Sequence, residues 1–212
     1  MLIPLKLAAS TWEALPLVSV QHAAKETDSH EQKQDPLGDG GPLLFQDVFF
    51  FCAVKTVGNL PGAGCIYVET VVDGRSGVAF AKVYPSRSAW NAADLLSSRV
   101  LPYFQRQGTS VKEIHTRRSI EYCGFLPLHP FEALLSTSHI QHRLLDRRDH
   151  PYFHLCEQFY WFLLKEFLQP ALRKKFQVSL EELQRELDVF LEAYNHMIVA
   201  KRNPSEATLP RA

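Results

Sequence analysis

The sequence carries no excess of charge of either sign. Lys and Arg number 23 and Asp and Glu number 23, for a formal net charge of +0. Net charge therefore makes no case for nucleic acid, although a balanced total still permits a basic face. Cysteine is scarce. Cys52, Cys65, Cys123 and Cys156 are scattered and include no CxxC pair. That argues against a disulfide framework and against a zinc ribbon. They read as reduced thiols of an intracellular protein, cytoplasmic, or nuclear in a eukaryotic host. No apolar run approaches the ~20 residues of a membrane span. The N-terminus, MLIPLKLAASTWEALPLVSV, is mildly apolar. Glu13 interrupts it, however, and no basic residue precedes its first apolar run, which argues against a signal peptide. There is no internal repeat.

What is present points to a folded domain. The apolar fraction is 46% and Phe alone occurs 14 times, a composition that supports a real core rather than disorder. The 212 residues suffice for one domain of ordinary size with a tail. Residues 22–42 read HAAKETDSHEQKQDPLGDGGP, polar with Gly and Pro at the end, as in a flexible linker. The expected organisation is a flexible, disordered arm over 1–42, a core over 43–200 and a tail over 201–212.

Within the core the punctuation is regular. LLFQDVFFFCAV, CIYVETVV and GVAFAKVY are strand-like runs, the last two separated by Asp73-Gly74, a strong hairpin signal. Ser88 to Gln107 carries Ala89, Ala92, Ala93, Leu96 and Val100 at helical spacing, with Gly108 suited to the helix end and Pro102 expected to kink or shorten the last turn. VKEIHT is a fourth strand. HPFEALLSTSH is a short helix opened by Pro130, and IQHRLL a fifth strand. A helix follows over Leu155–Leu168, stopped by Pro170. The last helix opens on the capping box Ser179-x-x-Glu182. Leu180, Leu183, Leu187, Phe190, Leu191 and Tyr194 then share one face. The order β-β-β-α-β-α-β-α-α predicts an α/β fold with a mixed sheet and helices on its faces.

Two carboxylates stand in apolar surroundings. Asp47 interrupts a run of large apolar residues in the first strand, where a charge is costly unless paired or metal-bound. Glu157 lies among aromatic residues in HLCEQFYWF. Taken alone, each has an ordinary alternative: Asp47 at a strand edge, Glu157 on a solvated helix face. Order and spacing add weight. LLFQDVFF, GCIYVETVVDGRSGVAFAKVYPS, AADLLSSRVLPYF, HTRRSIEYCG, HPFEALL, HLCEQFYWFLLKEF, SLEELQRELD and Tyr194-Asn195 together resemble the catalytic core of retroviral-type integrases and transposases. Bacterial insertion-sequence transposases are the group they look closest to. The likeness is dense from about Gly41 to Asn195.

The resemblance implies a ribonuclease-H-like mixed five-stranded sheet flanked by helices. It also implies two Asp and one Glu that bind two Mg²⁺ or Mn²⁺ ions for in-line displacement at phosphorus on DNA. The first Asp falls on Asp47 and the Glu on Glu157. The second Asp belongs to a Thr-Asp-Asn-Gly or Thr-Asp-Arg-Gly motif, which here reads Thr116-Arg117-Arg118-Ser119. Arg117 therefore stands where the second metal-binding Asp is expected, at a strand end where such sheets place their chemistry.

Other departures run in the same direction. The Pro-Gln-Thr-Asn-Gly type loop before the Glu is replaced by Asp149-His150-Pro151-Tyr152-Phe153-His154. The Arg-Pro-His that tends to follow Tyr194-Asn195 is His196-Met197-Ile198. No helix-turn-helix is visible in residues 1–40. The expected function is a DNA-integration domain with an impaired active site, acting on DNA and capable of homo-oligomer formation, with Mg²⁺ or Mn²⁺ bound weakly or not at all. Two rivals are a non-enzymatic nucleic-acid-binding or protein-interaction domain of transposase descent, and an active Mg²⁺-dependent transposase with a substitute ligand. Glu121 and Asp73 are the substitutes to consider, although Asp-Gly makes Asp73 a turn residue. Asp146 and Asp149 read as solvated loop charges. Arg143, Arg147 and Arg148 are weak candidates for phosphate contact. His139, His142, His150, His154 and Cys156 form a cluster better explained as surface and core residues than as a zinc site. Phe159-Tyr160-Trp161-Phe162 reads as helix packing.

Overall fold

A computed structural model of the chain describes residues 41–52, 65–124, 128–145, 153–174 and 179–202. The expected arm up to residue 40 and the tail beyond residue 202 lie outside these ranges. Five strands form one sheet: β1 (Leu43–Cys52), β2 (Cys65–Asp73), β3 (Ala79–Tyr84), β4 (Glu113–Arg117) and β5 (Gln141–Leu145). Their order is β3-β2-β1-β4-β5. β1 to β3 are antiparallel neighbours, while β4 runs parallel to β1 and β5 parallel to β4. The sheet is therefore mixed, in the ribonuclease-H-like arrangement expected.

Six consecutive residues of β2, from Val68 through Asp73, are buried. Burial without alternation means that both faces of the sheet are covered. One cover is the helical stretch α1 (Ala89–Leu95), a π turn (Leu96–Val100) and α2 (Leu101–Arg106). The others are α3 (Pro130–Thr137), then α4 (Phe153–Leu163), a π turn (Leu164–Leu168) and α5 (Gln169–Lys174), and finally α6 (Leu180–Arg202). Ser88 caps α1 by accepting from Asn91 N at 3.2 Å, and Ser179 caps α6 by accepting from Glu182 N at 3.1 Å.

Both prolines expected to disturb helices do so less than expected. The helical path does not stop at Pro170 but runs on to Lys174. Pro102 likewise lies inside a continuing path. Each sits two residues beyond a five-residue π turn. A widened turn provides room where a proline ring would otherwise press on the carbonyl four residues back.

The Asp73-Gly74 turn is held by the Asp73 carboxylate. Its Oδ1 accepts from Leu43 N at 2.9 Å and Arg75 N at 3.1 Å, and its Oδ2 accepts from Ser76 N at 3.1 Å. Gly77 closes the turn at φ 76°, a left-handed conformation that suits glycine. Asp73 thus carries the structural role that its sequence context suggested. His139 lies outside β5. At φ 55° it ends α3 in the left-handed region, and β5 begins two residues later.

The cysteines require a correction. Cys123 and Cys156 are free, but Cys65 is disulfide-bonded. The β1–β2 register places Cys65 opposite Cys52. Spacing along the chain gave no sign of the Cys65 disulfide. The argument for an intracellular location from reduced thiols loses its basis. Among the described residues no helix is long and apolar enough to cross a membrane.

β3 is an edge strand, and α6 covers that edge. Asn195 accepts from Ala79 N and donates to Ala79 O, both at 2.8 Å. Gln184 accepts from Val83 N at 2.8 Å. Three backbone groups that would otherwise await another strand are thereby satisfied. Tyr194 adds a hydrogen bond from its hydroxyl to Gly77 O at 3.2 Å. An Asn195→Ala variant should lose about 1–3 kcal/mol of stability, read as a lower urea midpoint with unchanged slope. An unchanged midpoint would mean that water replaces the amide without cost.

Candidate functional site

Asp47 lies midway along β1, the central strand, and is buried. Its strand neighbours alternate between two faces. Phe49, on its own face, stacks on Tyr160 of α4 with ring centroids 4.3 Å apart. Cys156 donates to Phe45 O and Tyr160 to Phe50 O, both at 3.2 Å. α4 is therefore the cover over Asp47. On the opposite face, Gln46 donates to Ala92 O of α1 at 3.0 Å.

The parallel pairing of β1 with β4 sets Gln46 beside Thr116, so the next residue of each strand brings Arg117 to Asp47. Arg117 Nη2 donates to Asp47 Oδ2 as an ion pair. Asp47 Oδ1 also accepts from Val48 N at 2.9 Å. Burial nevertheless dominates. It raises the Asp47 pKa from 3.8 to about 6, against the lowering effect of the Arg117 charge and hydrogen bond.

A second ion pair lies alongside. Arg87, in the segment between β3 and α1, contacts Glu121 Oε1 through Nε. The Glu121 side chain is only 1% exposed and that of Arg87 is 49% exposed. Neither Glu121 oxygen accepts a well-aligned hydrogen bond, so the attraction is one of charge. The Glu121 carboxylate adds to the upward push on Asp47, which places the two pairs within electrostatic reach of each other.

Below them sits a third acid. Glu69 is buried and accepts from Tyr122 Oη at 3.0 Å and from Gln46 Nε2 at 3.4 Å. Burial first, then the charges of Asp47 and Glu121, raise its pKa from 4.5 to about 8, despite the lowering by both hydrogen bonds. Burial thus holds the Glu69 carboxyl toward its neutral form near pH 7.

The other expected residues are dispersed. Glu157 is 47% exposed, and its carboxylate faces His154 Nδ1 at 3.6 Å rather than a shared site with Asp47. Arg143 donates to Glu113 at 3.3 Å and to Gln141 at 3.2 Å. Arg147, Arg148, Asp146, Asp149 and His150 lie outside the described residues. Of the remaining histidine and cysteine candidates, His142 makes a 2.8 Å hydrogen bond with Thr116 Oγ1 and its pKa is lowered to about 4, chiefly by burial. Cys156 is committed to Phe45 O. The donor set does not fit a pair of divalent cations. Asp47 is engaged by a guanidinium, and among the described residues no three His, Cys, Asp or Glu side chains are placed to hold a metal ion.

Sequence reasoning missed Arg87 and Glu69. Nothing at Tyr84-Pro85-Ser86-Arg87 signals a partner 34 residues away. Glu69 carried a signal that was passed over, namely a carboxylate inside the apolar run CIYVETVV.

Comparison with solved structures agrees with this fold. A chain of the simian T-cell lymphotropic virus intasome, solved in complex with PP2A regulatory subunit B56 gamma, superposes with a TM-score of 0.54 at 18% identity. The match covers 87% of this chain and 60% of that one, so this chain spans less than two thirds of it. The HTLV-2 integrase catalytic core, solved with magnesium, gives 0.48 at 15% identity over 69% of this chain and 81% of that one. The BIV integrase catalytic core gives 0.47 at 18% identity over 72% and 82%. No protein-family model matches the sequence, and no curated protein gives a significant match. The likeness to the intasome chain is one of fold, a mixed five-stranded sheet flanked by helices.

The raised Glu69 pKa fixes the sign of a pH effect. Between about 4.5 and 8 the folded state binds more protons than the unfolded one, so this group's contribution to stability falls as pH rises through that window. Glu69→Gln should keep the Tyr122 contact and remove the loss. The stability of the variant relative to wild type should rise by on the order of a few kcal/mol from the acid to the alkaline end. Urea titrations across that range provide the measurement, and parallel pH profiles would sink the assignment.

Proposed function

We propose that this chain is an integrase-like domain of the DNA-integration class that engages DNA, acts as a homo-oligomer and has lost strand transfer. The quoted sequence motifs favour descent from an insertion-sequence transposase. The observation that carries the loss is the Arg117–Asp47 ion pair. Family chemistry asks Asp47, an Asp at position 117 and Glu157 to gather two dications around a phosphate. Arg117 removes one ligand and brings a positive charge to the other. At ~4 Å a pair of unit charges interacts by about 4 kcal/mol at an effective dielectric near 20, and a dication doubles that. Arginine cannot replace what the metals supply, because a protonated guanidinium has no lone pair to take a proton from water and no open position to coordinate one as a metal does. Glu157, turned to His154, adds no compensating ligand.

The rival reading of an active enzyme with a substitute ligand has one supporting observation, the closeness of buried Glu121 to Asp47. Against it, Glu121 is already paired with Arg87. Against Asp73, its carboxylate already accepts backbone hydrogen bonds from Leu43, Arg75 and Ser76.

The test is nicking and strand transfer on a labelled duplex in Mg²⁺ or Mn²⁺, comparing wild type with Arg117→Asp. Wild type should be silent. Cutting by the variant alone would locate the lesion at Arg117, and silence in a folded variant would extend it to the rest of the site. Cutting by wild type would overturn the reading and direct attention to Glu121.

A further inference from the structure

We propose that Arg87 and Arg117 together form a metal-independent binding site for a nucleic-acid phosphodiester, each guanidinium held from behind by a buried carboxylate. The inference rests on the reading that the domain engages DNA, and adds which groups hold the phosphate. It begins from the misfit between the donor set and divalent cations.

Two carboxylates, Asp47 and Glu121, are almost wholly buried, with side chains 8% and 1% exposed. Each faces one arginine, and those arginines remain 39% and 49% exposed. As a stabilising device this is a poor choice. Desolvating two carboxylates is costly, and well-packed apolar residues often serve a core as well or better. A half-exposed ion pair adds little. The arrangement does, however, fix two guanidiniums. A guanidinium carries five donors in a planar fork that matches phosphate oxygens. An arginine oriented by a carboxylate loses less side-chain freedom when it meets a ligand.

The location suits the same ligand. Arg117 ends β4, and Arg87 lies between the end of β3 and the start of α1. Their carboxylate partners are near enough for the charge of Glu121 to act on Asp47. Both guanidiniums reach solvent, where the oxygens of a phosphodiester can meet them, and burial holds the nearby Glu69 carboxyl toward its neutral form.

The test is fluorescence anisotropy of a labelled DNA duplex over a salt titration in EDTA, for wild type, Arg87→Gln, Arg87→Gln/Arg117→Gln and Arg87→Lys/Arg117→Lys. Wild type should bind without metal. The slope of log affinity against log salt should fall by about 1 in the single variant and about 2 in the double Gln variant. The Lys variant should keep the wild-type slope because it keeps the charges. Thermal melts establish that each protein is folded. Arg87, the more exposed of the two, keeps the test decisive if the double variant fails to fold. An unchanged slope in folded Arg87→Gln would overturn this inference alone, as would binding that appears only with Mg²⁺. Absence of any DNA binding by wild type would overturn it together with the DNA reading.

Discussion

A carboxylate buried on the central strand is the constraint from which the site follows. Asp47 stands on β1, with β2 and β4 on either side and α4 above it. Its burial is strong enough to raise its pKa to about 6 even with a guanidinium in contact. A charge in that position must have a partner, and the sheet determines where one can come from. β2 offers Thr70 opposite Asp47, and Thr70 donates to the Asp47 backbone carbonyl at 3.0 Å rather than to the carboxylate. β4 offers position 117. In a parallel pair that adjacency is a property of the backbone, so whatever residue stands at 117 meets Asp47. An Asp there would oblige a cation to join them. An Arg makes the cation part of the chain.

The packing beneath the site does not depend on that choice. The core is a continuous apolar cluster drawn from all five strands' surroundings and from the helices, with Leu44, Ile66, Ile114, Phe131, Leu163 and Leu187 essentially inaccessible. The edge at β3 is closed by Asn195 and Gln184 through the backbone. None of these contacts passes through Asp47, Arg117 or Glu121. A sheet held this way tolerates exchange of the charges at positions 47, 117 and 121 without loss of the fold.

Legibility in the sequence divided along a physical line. What depends on local pattern was readable: the Phe- and Val-rich strands, the Asp73-Gly74 turn, the cap at Ser179, the helix start at Pro130, and the apolar face of α6. The positions of the two proline-containing helices were readable too, but not the π turns that let the path continue, since those depend on carbonyl geometry inside the helix. What depends on register was not readable. The disulfide at Cys65, the Arg87–Glu121 pair and the Asn195 clamp join residues brought together only by strand order and helix docking. Arg117 beside Asp47 was anticipated through resemblance, not through spacing. His154-x-x-Glu157 is the instructive exception. An i, i+3 pair on a helix is a local pattern, and attention to it would have shown Glu157 with a partner other than a metal.

Arginine at position 117 has a different meaning from a neutral loss. An Ala or Ser there would leave Asp47 buried and uncompensated, and the site would then neutralise itself by protonation or by drawing in a cation. Arg117 resolves the charge of Asp47 permanently, and Arg87 does the same for Glu121. The site thereby keeps guanidinium groups facing solvent. Holding a phosphate needs oriented donors, whereas cutting one also needs an activated water or hydroxyl and a stabilised leaving oxygen. Guanidiniums supply the first of these requirements and the charge stabilisation of the last, but not the activation. On the function proposed above, binding and cleavage become separable once the cations are side chains, and binding is the half of the chemistry for which these residues are equipped.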